Sequence, residues 1–283
     1  MKNIIFLSFL ALTVFISCGE DKKDKKDQYP PITKVFEAYY QDNLKLNPIK
    51  ATEAGDNRYN DTLPNNLSEA FLKKEKELYT NYKKKLNDYE DSELSPEDKM
   101  TKDVLLWDCN VNLSRLQFKK YTPIDQMWSL NLKIGQFASG ASAQPFKTVD
   151  DYTNWLSRID DYLEWLASTE INMRAGIKEG NVLPKSLIKK VLPQLKAMTV
   201  EDVDKHLFYS PVKNFPDTFS EEDKLSLKDA YAQMITEKII PAYQKLHDFM
   251  NSEYMDAGRT TAGVVYIPNG KDYYKHQIKY YTT

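Results

Sequence analysis

The sequence predicts a mainly α-helical protein: a multi-helix array of long amphipathic helices with one short strand or extended segment near the C-terminus. Three observations carry that expectation. Apolar residues recur at steps of three and four over most of the chain. Ser or Thr stands three residues before an acid at several points where such a run begins, the pattern that satisfies the free N–H groups of a helix start. Gly occurs only 9 times in 283 residues, against 19 Tyr and 12 Phe, a balance suited to helices packed through aromatic rings rather than to turn-rich β-sheet. A chain of this length buries a core without staples.

The first 31 residues stand apart from the periodic part. Met1 and Lys2 give a charged start, residues 4–16 form a mainly apolar run, and Ser17 places a small residue before Cys18. Residues 1–17 therefore read as a signal peptide, too short to span a membrane. The sequence Phe15-Ile16-Ser17-Cys18 resembles the bacterial lipobox, which implies diacylation of Cys18, a membrane tether through that lipid, and a place in the cell envelope. From Glu20 to Asp27 every residue is charged, so residues 18–31 are expected to be a lipidated cysteine followed by a solvated linker. The acidic and lysine-rich run also resembles the export signal of some surface-displayed Gram-negative lipoproteins. The expected place is thus the outer membrane, with the domain facing the periplasm or the cell surface.

Residues 32–283 read as one helical domain. Val35, Phe36, Tyr39, Tyr40 and Leu44 mark a first helix that fades at Asn47-Pro48. A short turn at 49–54 closes at Gly55, and 60–66 is a loop. Leu72, Leu78, Tyr79, Tyr82 and Leu86 give a solvated helix with one apolar stripe. Ser95-Pro96-Glu97-Asp98 starts a helix running to about Lys120. Between 121 and 147 the period disappears, which predicts a long connection. Thr148 and Asp151 form a second capping box, opening a helix whose Tyr152, Trp155, Ile159, Tyr162 and Leu166 share one face toward Gly180. Pro184 and Pro193 bracket a shorter helix, Thr199 and Asp202 give a further start signal, and 210–219 is a proline-punctuated loop. Ser220 and Asp223 launch what reads as the longest helix, to about Ala257, with a kink at Pro241. The β-branched segment 262–267 reads as the strand or extended piece, followed by a Tyr-rich final helix.

Composition excludes some functions and the motif search excludes more. Lys plus Arg total 39 and Asp plus Glu total 41, a net charge of −2 with no basic block in the folded part, so nucleic acid is not an expected partner. Cys109, the only cysteine beyond Cys18, reads as a small buried hydrophobe. His206, His247 and His276 are followed by Leu, Asp and Gln, so none begins the His-Glu-x-x-His arrangement that places two zinc ligands on one helix face. There is no Gly-x-Ser-x-Gly elbow, phosphate loop or Cys-x-x-Cys pair. The pairs Asp150-Asp151 and Asp160-Asp161 fall on helix starts or polar faces. The residues themselves thus offer no catalytic group, no metal ligand and no cofactor site.

Three stretches resemble the bacterial family known as domain of unknown function 885, many of whose members are lipoproteins. They are residues 36–59 (FEAYYQDNLKLNPIKATEAGDNRY), 173–195 (MRAGIKEGNVLPKSLIKKVLPQL) and 241–283 (PAYQKLHDFMNSEYMDAGRTTAGVVYIPNGKDYYKHQIKYYTT), in the order of the family's amino-terminal half. The resemblance implies a mostly helical zinc metallopeptidase-like protein that cuts peptides in a cleft between helical halves. The family's zinc-binding helix lies carboxy-terminal to the region matched. By that resemblance the chain is expected to be a fragment, a natural truncation or one half of a split protein, inactive alone, with zinc belonging to the intact member. Its partner would be the missing carboxy-terminal half or a peptide substrate. A large apolar patch is then expected along residues 264–281 and one face of the long kinked helix. The same resemblance places Val264, Tyr266, Tyr273 and Tyr274 in a substrate-cleft wall with Arg259 nearby for a carboxylate. The alternative from another class is a surface lipoprotein that binds nutrients such as glycans or peptides through exposed Trp and Tyr, among them Trp107, Trp128 and Trp155.

Overall fold

The computed structural model describes residues 29–282; the leader, Cys18 and the charged run lie outside the described residues. Helices begin where the local sequence supplies acceptors for the first free N–H groups. After α1 (Ile32–Leu46), Pro48 opens α2 (Pro48–Glu53) at the position where its missing N–H costs nothing. Ser68 Oγ accepts from Phe71 N at 3.2 Å and starts α3 (Glu69–Asn87). Ser95 does the same for Asp98 N at 3.1 Å at the head of α4 (Pro96–Arg115). A shorter helix, α5 (Leu130–Ala138), follows within the segment expected to be irregular. The capping box of α6 (Val149–Lys178) is reciprocal: Thr148 Oγ1 accepts from Asp151 N at 3.2 Å, and Asp151 Oδ2 accepts from Thr148 N at 2.9 Å.

The chain continues through α7 (Lys185–Lys196), α8 (Glu221–Gln233, capped by Ser220), α9 (Ile240–Asn251), α10 (Glu253–Ala257) and α11 (Gly270–Thr282). Among the described residues there is no strand, only one isolated parallel bridge between Pro184 and Arg259. The mainly α-helical expectation holds. No described helix is long and apolar enough to cross a membrane.

Several boundaries differ from the sequence reading for identifiable reasons. Pro193 sits inside α7, one turn from its end, rather than bracketing it. The Thr199-x-x-Asp202 pattern launches only a single 3₁₀ turn, Val203–Lys205, and a seven-residue 3₁₀ helix, Leu207–Lys213, follows it with His206 as its cap. The helix predicted from Ser220 to about Ala257 is divided: a π-helical turn, Met234–Ile239, precedes Pro241, and the backbone breaks at Ser252 with φ −113° and ψ −97°. A proline ring clashes with the carbonyl four residues back and offers no N–H, so widening the turn ahead of Pro241 relieves both faults without ending the helix. The segment read as a strand forms one 3₁₀ turn, Val264–Tyr266, between extended Gly263 and Ile267. Its β-branched residues find no neighbouring strand to pair with.

α6 is the longest single helix and the spine of the main core. Tyr152, Trp155, Ile159, Tyr162, Leu166 and Met173 are buried along it against Ile188, Val191 and Leu195 of α7 and against Tyr231, Ile235, Ile239 and Tyr243 of the α8–α9 segment. A smaller cluster joins α1, α3 and α4 through Val35, Tyr39, Tyr79, Tyr82, Leu86 and Cys109. Cys109 is fully buried, as expected, and burial pushes its thiol up to about 11, which keeps it protonated.

One charged side chain lies wholly inside. Arg158 of α6 is 0% exposed, and its five N–H donors meet five acceptors. Nε donates to Thr62 O at 3.2 Å; Nη1 to Thr52 Oγ1 at 3.0 Å and Gln144 Oε1 at 2.8 Å; Nη2 to Tyr59 O at 2.6 Å and Asn60 Oδ1 at 3.4 Å. The guanidinium thus pins α2 and the 59–62 loop, as well as the segment before α6, to the spine.

Candidate functional site

The surface from Arg259 to Tyr281 holds the residues that the resemblance assigned to a cleft wall. It begins where α10 ends. Arg259 N donates to Leu183 O at 3.2 Å and Lys185 N donates to Arg259 O at 2.9 Å, fastening the chain to the start of α7. The Arg259 side chain strengthens the fastening. Nε donates to Val182 O at 3.0 Å, and Nη1 donates to Gly263 O at 2.9 Å and to Thr261 O. Partial burial lowers its pKa, and those carbonyls hold the guanidinium in place. Arg259 is therefore first a strap residue, with Nε and Nη1 committed to backbone.

The turn after the strap is equally specific. A Cβ on Gly270 would lie 2.0 Å from Val264 O, a distance no side chain tolerates, so only glycine lets α11 start against the 264–266 turn. Asn269 just before it takes the left-handed conformation at φ 56°. The inner face of α11 then rests on the end of α4. The rings of Tyr273 and Phe118 meet edge to face at 5.4 Å between centroids, and His276 lies 5.5 Å from the same Phe118. Burial raises the Tyr273 hydroxyl pKa, with the charges of Tyr281 and Asp125 adding to the shift.

His276 is buried, and both ring nitrogens lack a hydrogen bond. Burial first, and then the positive Arg115 and Lys279, lower its pKa, so the ring is held neutral. Arg115 in turn pairs with Glu75 of α3 at 2.5 Å.

The outer face of α11 is a second apolar stripe. Tyr274, Ile278 and Tyr281 fall at i, i+4 and i+7, and are 52%, 47% and 77% exposed. Val265 and Tyr266, the latter 65% exposed, extend it from the preceding turn. A helix that is apolar on both faces and covered on only one is unusual in a water-facing element. The expected patch thus exists along 264–281. It does not extend to the long kinked helix, because the apolar residues of α8 and α9 face inward, with Leu225 the exposed exception.

The structure sets the 264–266 turn against the start of α11 with Arg259 at its base, but it divides the tyrosines: Tyr273 packs inward on Phe118, whereas Tyr266 and Tyr274 face outward. Sequence reasoning missed Phe118, the platform on which α11 rests, and the neutral His276 beside it. Nothing local flagged either one, since their neighbours arrive from the other end of the chain. The three tryptophans of the glycan alternative do not share a surface. Trp155 is fully buried in the main core, Trp107 is half-buried on α4, and only Trp128 stands open, 87% exposed. Trp155 belongs to the stripe that α6 turns inward, which corrects its assignment to an exposed set.

The donor set does not suit the zinc ion that the resemblance implies. His206 caps a 3₁₀ turn, its Nδ1 accepting from Phe208 N at 3.2 Å with Nε2 beside Met198 O. His247 sits by Asp248 at 3.2 Å, and His276 is enclosed by aromatic rings. Among the described residues no three His, Cys, Asp or Glu side chains gather where a metal could be held.

The family model of bacterial proteins of unknown function termed DUF885 matches residues 48–283. No curated protein matches the chain. Among solved structures, the chain is similar to a Colwellia psychrerythraea protein described as a "putative lipoprotein", with 16% of residues identical and a TM-score of 0.74. The match covers 90% of this chain and 46% of that one, so the chain spans about half the length of that relative. At that identity the likeness shows the fold alone.

Proposed function

The chain belongs to the bacterial DUF885 family, and from that premise we propose that it is an exported protein, lipid-anchored at Cys18 in the cell envelope, whose helical domain serves as the non-catalytic half of a peptidase-like protein. The outward stripe of α11 carries this reading. Tyr274, Ile278 and Tyr281 have the spacing and exposure of a seam, and the solved relative has about as much chain again beyond the matched part. A second helical half, bearing the zinc ligands, would cover the stripe and close a cleft with it. Val264, Tyr266 and Tyr274 would line the cleft wall, backed by Tyr273, with Arg259 at its base. In this reading the lipid tethers the domain to the outer membrane, facing the periplasm or the cell surface.

The test has two arms. Metabolic labelling with a fatty-acid analogue should mark the protein and fail on Cys18→Ala. The purified chain from Cys18 to Thr283 should retain no zinc and hydrolyse no peptide. Stoichiometric zinc with peptide turnover by that preparation sinks the half-protein reading. Of the three tryptophans named for the nutrient-binding alternative only Trp128 stands open, and glycan binding lost in Trp128→Ala would favour that alternative.

A further inference from the structure

A cleft remote from the α11 surface meets the requirements of a ligand site. It lies between α5, the end of α7 and α9, with a volume of about 700 Å³, inside the range that small-molecule sites occupy. None of its lining residues is charged. A charged ligand would lose its hydration there with no opposite charge in return.

Two features of the wall are costly to the protein and have no role in the fold. Asn131 of α5 and Gln194 of α7 line the cleft, and the side-chain oxygens Asn131 Oδ1 and Gln194 Oε1 are buried with no hydrogen-bond partner. Each is desolvated with no hydrogen bond to offset the loss. Gln194 cannot be relieved by exchanging its amide ends, because Nε2 already donates to Gln126 O at 3.1 Å. The terminal amide torsion of Asn131 is soft, so a small turn presents its oxygen to an occupant, whereas Gln194 would exchange its bond to Gln126 for one to the occupant.

Gly135 is the second feature. It lies mid-helix in α5 with no positive φ, where glycine is a poorer helix former than alanine. An added Cβ would meet Leu207 Cδ2 at 3.7 Å, ordinary contact. Neither backbone nor packing demands glycine at 135. What its missing side chain provides is depth in the cleft.

We propose that this cleft binds an uncharged, amide-bearing ligand with apolar side groups, the chemistry of an internal stretch of peptide. The two amide oxygens would accept from its N–H groups, and Leu132, Met198 and Leu207 would contact its side groups. The site stands apart from the half-protein reading, since none of its lining residues belongs to the 264–266 turn or to α11.

The experiment titrates the full mature chain with N-acetyl-leucyl-leucinamide, followed by ligand-observed NMR, beside two comparators. N-acetyl-leucyl-leucine carries a carboxylate, and octyl glucoside offers hydroxyl donors on an apolar tail. Saturable binding of the amide is expected, at least tenfold tighter than either comparator. Gly135→Leu, which fills the cleft and improves the helix, should abolish binding while melting no lower than the parent. Asn131→Leu removes an unbonded oxygen, so it should fold at least as well and bind at least tenfold more weakly. If Gly135→Leu fails to fold, Asn131→Leu alone decides. The proposal falls if the amide shows no saturable binding, if either comparator binds as tightly, or if folded variants bind like the parent.

Discussion

Replacing Arg158 by Lys keeps the buried charge and removes the geometry that holds it. The guanidinium presents five donors in a planar fork, and all five are used. An ammonium has three donors on a flexible stem, so at least two of the five acceptors lose their partner. Thr52 and Asn60 are cushioned, because Thr52 Oγ1 also donates to Asn60 Oδ1 at 2.6 Å. Tyr59 O is cushioned too, since it also accepts from Thr62 N at 3.3 Å. The exposed cost therefore falls on Thr62 O and Gln144 Oε1, and the single nitrogen of lysine, unable to span both, leaves at least one of them orphaned at about 1–3 kcal/mol. Arg158→Lys should cost about 1–3 kcal/mol, read as a lower guanidinium midpoint with an unchanged slope by far-UV circular dichroism. Burial pulls the guanidinium pKa down to about 10, well above working pH, and no carboxylate bonds to it. The deficit should thus be the same at pH 5 and pH 8. A change below about 0.5 kcal/mol, or a deficit that vanishes in acid, would refute the account of Arg158 as a clamp built from neutral acceptors.

Three further outcomes follow from the geometry. Thr148→Ala removes the capping box of α6 and should cost about 1 kcal/mol in thermal or denaturant unfolding. His276 has a folded pKa below its unfolded value near 6.5, so the unfolded chain takes up a proton first and stability falls as pH drops through that region. His276→Phe keeps the ring contact with Phe118 and removes two unbonded nitrogens, so its midpoint should drop less between pH 7.5 and 5 than the parent's; an equal drop would exclude His276 as a source. His206, also lowered by burial, accounts for acid loss that remains. Gly270→Ala would force Val264 O away from the start of α11, and hydrogen exchange should then quicken along 264–282 while α6 stays protected.

Much of the helical framework was written in short-range chemistry. Ser95, Thr148 and Ser220 each act on a residue three positions ahead, so the cap and its partner are visible in one window of sequence. The stripe of Tyr152, Trp155, Ile159, Tyr162 and Leu166 likewise repeats within one helix, which made α6 and its buried face legible. α5 escaped because Ser129 makes no side-chain cap bond and Gly135 interrupts the pattern. The 264–266 turn escaped because β-branched residues signal a strand only when a partner strand exists.

What tertiary structure alone decided is which side chains meet across long separations. Arg158 reaches Thr52 and Tyr59 about a hundred positions away, Phe118 meets Tyr273 and His276 from the far end of the chain, and Asn131 shares a cleft with Gln194. Sequence composition marks the final helix as Tyr-rich, but not which of its sides is covered. Covering is a property of the neighbour that arrives, and α4 supplies one for Tyr273 and His276 while leaving Tyr274, Ile278 and Tyr281 to water.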